Sequence, residues 1–342
     1  MKRLSLLASS IVLAACAAPP RVTARDGIVV AQDEFKGALV GVSAKSGKPT
    51  YRLPTDGWAD APPISNGKVF VHGEWGVAAR DASTGAIAWR TLVQSPYQTS
   101  VALGAGSVFV PTLQGRRHVW VGLSEAKGEP TFDVPSDRWA PLVGAGDLVF
   151  TLRKHRLIGA GAPDGKPRWT SKEEAHAPLA SGGGRVLARV GDSEIAIFEG
   201  ANGDVVRRIE LGSSDAMKVV KSRAMGLDFD GKRVAFLDDG GVALADVSSA
   251  KRRWTSPDVG ARSAHLLGDL VVADVGDAVQ AFDAEGGKSR WSTSVAPASV
   301  ESIAVDAGAI VVRTDDGRLV LLDAAGKKTF TVDLAASQTS QN

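Results

Sequence analysis

The 342-residue chain has one cysteine, Cys16, so no internal disulfide can staple it. Folding must rest on apolar burial, for which 44% hydrophobic content is sufficient. Long hydrophobic runs are also missing. The N-terminal apolar stretch, residues 4–15, falls short of the ~20 residues that a bilayer-spanning helix needs. Charge of one sign is lacking too. There are 40 basic and 38 acidic residues, and loss of Lys2 and Arg3 with a leader would leave the chain formally neutral. Without a basic field to follow phosphates, nucleic acid is not expected as a partner. Small basic clusters such as Lys251, Arg252 and Arg253 read as solvated hairpins.

Signatures of catalysis are equally scarce. The five histidines, His72, His118, His155, His176 and His265, show no metal-type pair spacing. Neither a GxSxG nucleophile elbow nor a GxxxxGK[ST] phosphate loop occurs. The chain is therefore expected not to be an enzyme and to carry no metal or cofactor. Groups from distant segments converging on one axis remain possible, because spacing does not report on them.

What is present starts with a leader. Lys2 and Arg3 precede the apolar stretch, which ends Leu13-Ala14-Ala15-Cys16. This resembles the lipobox of bacterial lipoproteins, and it implies cleavage before Cys16 and lipidation of its thiol. Acyl chains on Cys16 would hold the protein on a membrane surface without a spanning helix. Ala17 in the next position is similar to lipoproteins sent to the outer membrane. Residues 16–25, with Pro19 and Pro20, read as a short linker, and residues 335–342 as a polar tail.

Between them a pattern repeats. In 81–89, DASTGAIAW, a polar turn closes on Gly85 and an aromatic follows four positions later. The same pairing joins Gly47 to Tyr51, Gly128 to Phe132, Gly165 to Trp169, Gly287 to Trp291 and Gly326 to Phe330. Two copies are degraded: Arg207 takes the aromatic place after Gly203, and Ala250 replaces the glycine before Trp254. Eight units thus recur about every 40 residues, the length of a four-stranded propeller blade. Short β-rich runs such as 68–72 and 76–80, bounded by Asn66-Gly67 and by Gly85, suit hairpins and not helices. The expectation is an all-β, eight-bladed propeller over 26–334, with Tyr51, Trp89, Phe132, Trp169, Trp254, Trp291 and Phe330 packed between blades. Seven blades is the alternative, should the unit at Gly203 fail to form one. The first unit shows no clear inner strand; either residues 21–24 supply it or the blade has three strands.

Two stretches depart from the repeat. The longest interval, between Gly203 and Ala250, contains 212–232 with Met225, Leu227, Asp228 and Phe229. It is either a binding loop or a longer connection between strands. The connection 136–141 carries Arg138 and Trp139, residue types enriched in interface hot spots, although a buried Trp139 beside a surface Arg138 is the plainer reading.

The spellings DASTGAIAW, APDGKPRW and DAEGGKSRW resemble the PQQ-like propeller repeat, and the resemblance runs over essentially the whole mature chain. Among proteins with such repeats, quinoprotein alcohol dehydrogenases are longer and carry a vicinal disulfide, for which this chain has no cysteines. The similarity is instead to the BamB family of outer-membrane assembly factors. That resemblance implies a noncatalytic lipoprotein on the periplasmic face of the outer membrane, partnered by the barrel-insertion subunit (BamA-like) or by nascent outer-membrane proteins. An adaptor in another envelope complex, or less readily a small-ligand or quinone binder, is the alternative. The family's long partner-binding loops have no counterpart in the short connections 133–141 and 170–178, so its contact residues are not carried over. Arg138, Trp139, Met225, Leu227, Asp228 and Phe229 are the candidate partner-binding positions.

Overall fold

Residues with continuous apolar runs occupy the middle of each repeat, and residues that alternate occupy its outer edge. In the sixth repeat, Arg233–Asp238 and Gly241–Asp246 are buried almost throughout, whereas Lys251–Thr255 alternates between exposed and half-buried. A strand covered on both faces favours an unbroken apolar run, and a strand at an edge does not. The middle strands must therefore be sandwiched between neighbouring sheets.

The computed structural model describes residues 22–33, 37–54, 62–73, 76–93, 95, 101–138, 140–161, 164–191, 194–210, 227–238 and 241–336. Among these, 32 strands form eight four-stranded antiparallel sheets, each a simple meander. They are the blades of a β-propeller: blade 1 (22–54), blade 2 (64–91), blade 3 (102–135), blade 4 (142–174), blade 5 (176–210), blade 6 (227–255), blade 7 (263–294) and blade 8 (300–333). The degraded unit at Gly203 makes a complete blade, which removes the seven-blade alternative. Val22–Arg25 supplies the inner strand of blade 1, so the propeller begins inside the stretch expected as linker. Cys16 and the leader lie outside the described residues, as do Trp139, Met225 and 337–342.

Every blade has a register shift between its third and fourth strands. Such a bulge twists the outer strand. It falls where the repeat's aromatic sits, turned toward the next blade. There the ring lies against that blade's turn glycine. A Cβ on Gly128 would come closer than 3.0 Å to the Trp89 ring, and the same holds for Gly85 under Tyr51, Gly203 under Trp169, Gly287 under Trp254 and Gly326 under Trp291. Phe132 is 3.0 Å from the corresponding point on Gly165. The indole N–H groups also donate to carbonyls of the next blade: Trp89 to Glu125 at 3.1 Å, Trp169 to Gly200 at 2.7 Å, Trp254 to Ala284 at 3.0 Å and Trp291 to Ala324 at 2.9 Å. Tyr51 has no such partner; its hydroxyl is buried, which raises it to about 12.

The ring closes in the same way. Phe330 of blade 8 packs on Gly47 of blade 1, Arg52 donates to the Leu334 carbonyl at 2.7 Å, and Arg52 also pairs with Asp33. Val22, Val29, Val40 and Val42 share one core with Val311, Leu319, Leu321 and Val332. Among the described residues no strand is exchanged between the two blades, and side chains carry the closure.

The two degraded repeats prove to be partners. Ala250 keeps the left-handed backbone of the turn, with φ 56°, and Arg207 of blade 5 reaches the Ser248 carbonyl at 3.2 Å. A Cβ at this turn leaves no room for a ring stacked on it, whereas a flexible guanidinium can approach from the side.

Turn chemistry follows the repeat as well. Asp81 Oδ1 accepts from the backbone N–H and the hydroxyl of both Ser83 and Thr84, and Asp246 and Asp283 cap their turns similarly. These hydrogen bonds, led by the Ser83 hydroxyl, hold the Asp81 carboxyl at about 2.

Two outcomes are expected from urea denaturation. Gly128→Ala combines a strained left-handed alanine with overpacking against Trp89 and should cost about 3 kcal/mol, whereas Ala250→Gly should stabilise by up to about 1 kcal/mol. Because the folded pKa of Asp81 is depressed, its contribution is present above about pH 4 and is lost as pH falls toward 2. The stability gap between wild type and Asp81→Asn should therefore be clear at pH 7 and largely lost by pH 2.

Candidate functional site

Strand Leu227–Phe229 is the inner strand of blade 6, hydrogen-bonded to Arg233–Asp238. Alternation along it points Phe229 into the apolar core shared by blades 5 and 6, where it is 5% exposed beside Leu187, Ile209 and Phe236. Phe229 is thus removed as a partner-binding residue, because nothing outside the propeller can reach it. Leu227 packs half-buried on the same core. Asp228 points the other way and links two blades: Oδ1 accepts from the Phe229 N–H at 2.7 Å, and Oδ2 from the Leu266 N–H of blade 7 at 2.8 Å. Its role is to tie inner strands together.

Around Asp228 the inner wall gathers polar side chains from separate blades. His265 neighbours it on the inner strand of blade 7, and burial lowers the imidazole below its ordinary value while Asp228 and Asp274 pull the other way. Asp274 Oδ1 accepts from Arg262 Nε at 3.1 Å and Nη2 at 2.9 Å, and that Nη2 reaches the Val300 carbonyl at 2.6 Å. Arg262 therefore bridges blades 7 and 8. No spacing in the sequence signals this group; only the arrangement of the blades brings it together. Among the described residues no three His, Cys, Asp or Glu side chains converge as a metal site.

Arg138 is exposed in the connection from blade 3 to blade 4. That connection is clamped by Asp137, whose N–H donates to the Leu152 carbonyl at 2.8 Å and whose Oδ2 accepts from the His155 N–H at 3.2 Å. Arg138 lies in the connection between blades 3 and 4, and the 227–229 strand belongs to blade 6. Sequence reasoning passed over the exposed apolar side chains. Leu92 is 78% exposed, following the outer strand Ile87–Thr91 of blade 2; Ile87 on that strand is 51% exposed, and Leu113 of blade 3 is also exposed. An outer strand has a free backbone edge, so apolar residues beside it suit strand addition by a partner.

Eight four-stranded meanders docked through repeat aromatics define an eight-bladed propeller of PQQ-like repeats. A family profile described as outer membrane protein assembly factor BamB matches residues 13–128, 118–275 and 260–341, and the chain belongs to that family. Among solved structures it is similar to BamB from Moraxella catarrhalis, at 17% identity and a TM-score of 0.62 over 83% of this chain and 89% of that one. The computationally designed Ika8 protein is similar at 14% identity and a TM-score of 0.64, covering 90% and 97%. The dihydro-heme d1 dehydrogenase NirN, in complex with DHE, is similar at 15% identity and a TM-score of 0.70, covering 94% and 76%. At these identities the likeness is one of fold. No curated protein sequence matches the chain.

The placements of Phe229 and Arg138 separate their effects. Phe229→Ala should cost about 3–5 kcal/mol in chemical denaturation, while Arg138→Ala should leave stability within about 0.5 kcal/mol.

Proposed function

We propose that the protein is a noncatalytic scaffold in the assembly of outer-membrane β-barrel proteins, anchored through lipidated Cys16 to the periplasmic face of the outer membrane. The observation that carries this reading is the family match, which runs with overlaps from residue 13 to residue 341. A closed ring of blades with buried middle strands is a rigid disc, and its outer strands and connections are what it offers to partners. Its partner is the barrel-insertion subunit or a nascent barrel strand. The free edge of Ile87–Thr91, with Ile87 and Leu92 beside it, gives an extended segment both backbone groups and apolar contact. Arg138 and Trp139, on the connection between blades 3 and 4, are the second contact to test.

Crosslinking in whole cells followed by mass spectrometry of the captured proteins tests the role. The barrel-insertion subunit should dominate with the wild-type chain. Its recovery should fall several-fold with Leu92→Glu or with Arg138→Glu plus Trp139→Ala, while the melting temperature stays unchanged. Dominance of another envelope protein, with the insertion subunit absent, would rename the function after that partner.

A further inference from the structure

At seven of the eight seams an aromatic ring fills the wedge between blades; at the seam between blades 5 and 6 the slot holds Arg207. Beside it a cleft of about 590 Å³ opens on the end of the propeller that carries the first-to-second and third-to-fourth strand turns. Its walls are Asp230, Gly231, Lys232 and Arg233 from one turn of blade 6, Asp246, Val247 and Ser248 from the other, Arg253 from the outer strand, and Arg185 from blade 5. The volume lies within the range of small-ligand sites.

The charge in this cleft is lopsided and fixed in place. With Arg207 at its rim, the cleft sets five cations, Arg185, Arg207, Lys232, Arg233 and Arg253, against three carboxylates, Asp230, Asp246 and Glu199, the last paired with Arg185 at 3.6 Å. Arg233 donates to Asp230 Oδ2 through Nε at 2.9 Å and Nη2 at 2.7 Å, and to the Gly268 carbonyl through Nη1 at 2.8 Å. Arg253 holds Asp246 at 2.6 Å, and Arg185 reaches the Gly231 carbonyl at 3.3 Å. Burial alone would raise the Asp230 carboxyl, but hydrogen bonds from Lys232 and Arg233 bring it below its ordinary value, so Asp230 and Asp246 stay charged. Lys232 is exposed, and its ammonium forms no ion pair among the described residues. Five cations against three carboxylates leave two positive charges in excess, and the surrounding arginines are already oriented by their hydrogen bonds, which lowers the ordering cost of binding an anion.

We propose that the cleft between blades 5 and 6 is a binding site for a phosphate-bearing anion. A phosphomonoester carries a charge of about −1.5 to −2 at neutral pH and three acceptor oxygens, matching the excess charge better than a single carboxylate. The phosphate comes either from a soluble small molecule or from a lipid headgroup. This site is separate from the outer-strand edge of blade 2 and stands whether or not the assembly role does.

Titration calorimetry of the purified full chain, in neutral detergent at low salt, tests it with two probes: pyrophosphate and the short-chain lipid dihexanoylphosphatidate. Saturable one-site binding is expected, weakening as salt is raised. Lys232→Glu should reduce affinity about tenfold or more. Lys45→Glu, in a blade 1 turn at the same end of the disc, should not change it. Both variants should melt with wild type. Tighter binding of pyrophosphate assigns the site to soluble phosphates, and tighter binding of the phosphatidate assigns it to a headgroup. No saturable heat with either probe, or equal affinity in Lys232→Glu, would overturn the proposal.

Discussion

The dock between each blade's aromatic and the next blade's turn glycine is the constraint on which the rest of this molecule depends. The backbone ladders run within blades and never between them. Apart from isolated backbone bonds such as Val300 N–H to the Gly276 carbonyl at 2.7 Å, what holds blade to blade among the described residues comes from side chains. A buried aromatic contributes about 2–3 kcal/mol by area alone, and in four seams an indole N–H adds a bond to a carbonyl of the neighbour. The glycine answers two demands at once. It takes the left-handed backbone of the turn, and it leaves the face of that turn bare for the ring. Closure of the ring by Phe330 on Gly47 repeats the device.

Viewed through that constraint, the seam between blades 5 and 6 is a coherent variation and not decay. Once Ala250 puts a methyl group on the turn, a stacked ring no longer fits, and Arg207 reaches the Ser248 carbonyl instead. The wedge that a ring would have filled is bordered by arginines and a lysine. Loss of one apolar contact thus changes the chemistry of a whole sector of the disc. The interior compensates, since Phe229 and Phe236 pack with Leu187 of blade 5 nearer the axis.

Rigidity and recognition are divided between layers. Middle strands offer a partner little beyond exposed ends such as Leu113, because most of their side chains are committed to neighbouring blades. Inner strands are tied to one another by Asp228 and Arg262 across blades 6, 7 and 8. Contact with other molecules is left to outer edges, turns and connections. A disc built this way can present Ile87, Leu92 and Arg138 without reorganising its core.

Blade number and the glycine-closed polar turns were legible in the sequence, because each is set by residues within one repeat of about 40. The packing aromatics were legible for the same reason, since Gly and aromatic stand four positions apart in every intact copy. The inner strand at 22–25 was harder, because a short strand next to a proline-containing segment looks like linker until its partner Ile28–Asp33 is seen. Phe229 was misjudged because an aromatic in an irregular stretch carries no periodic mark of the core it enters. The pairing of Arg207 with Ala250, the polar group at Asp228, His265, Asp274 and Arg262, and the basic cleft all join residues from different blades. Local spacing determines what each blade is. Only closing the ring decides which blade surfaces meet, because those contacts are made by side chains far apart in the chain.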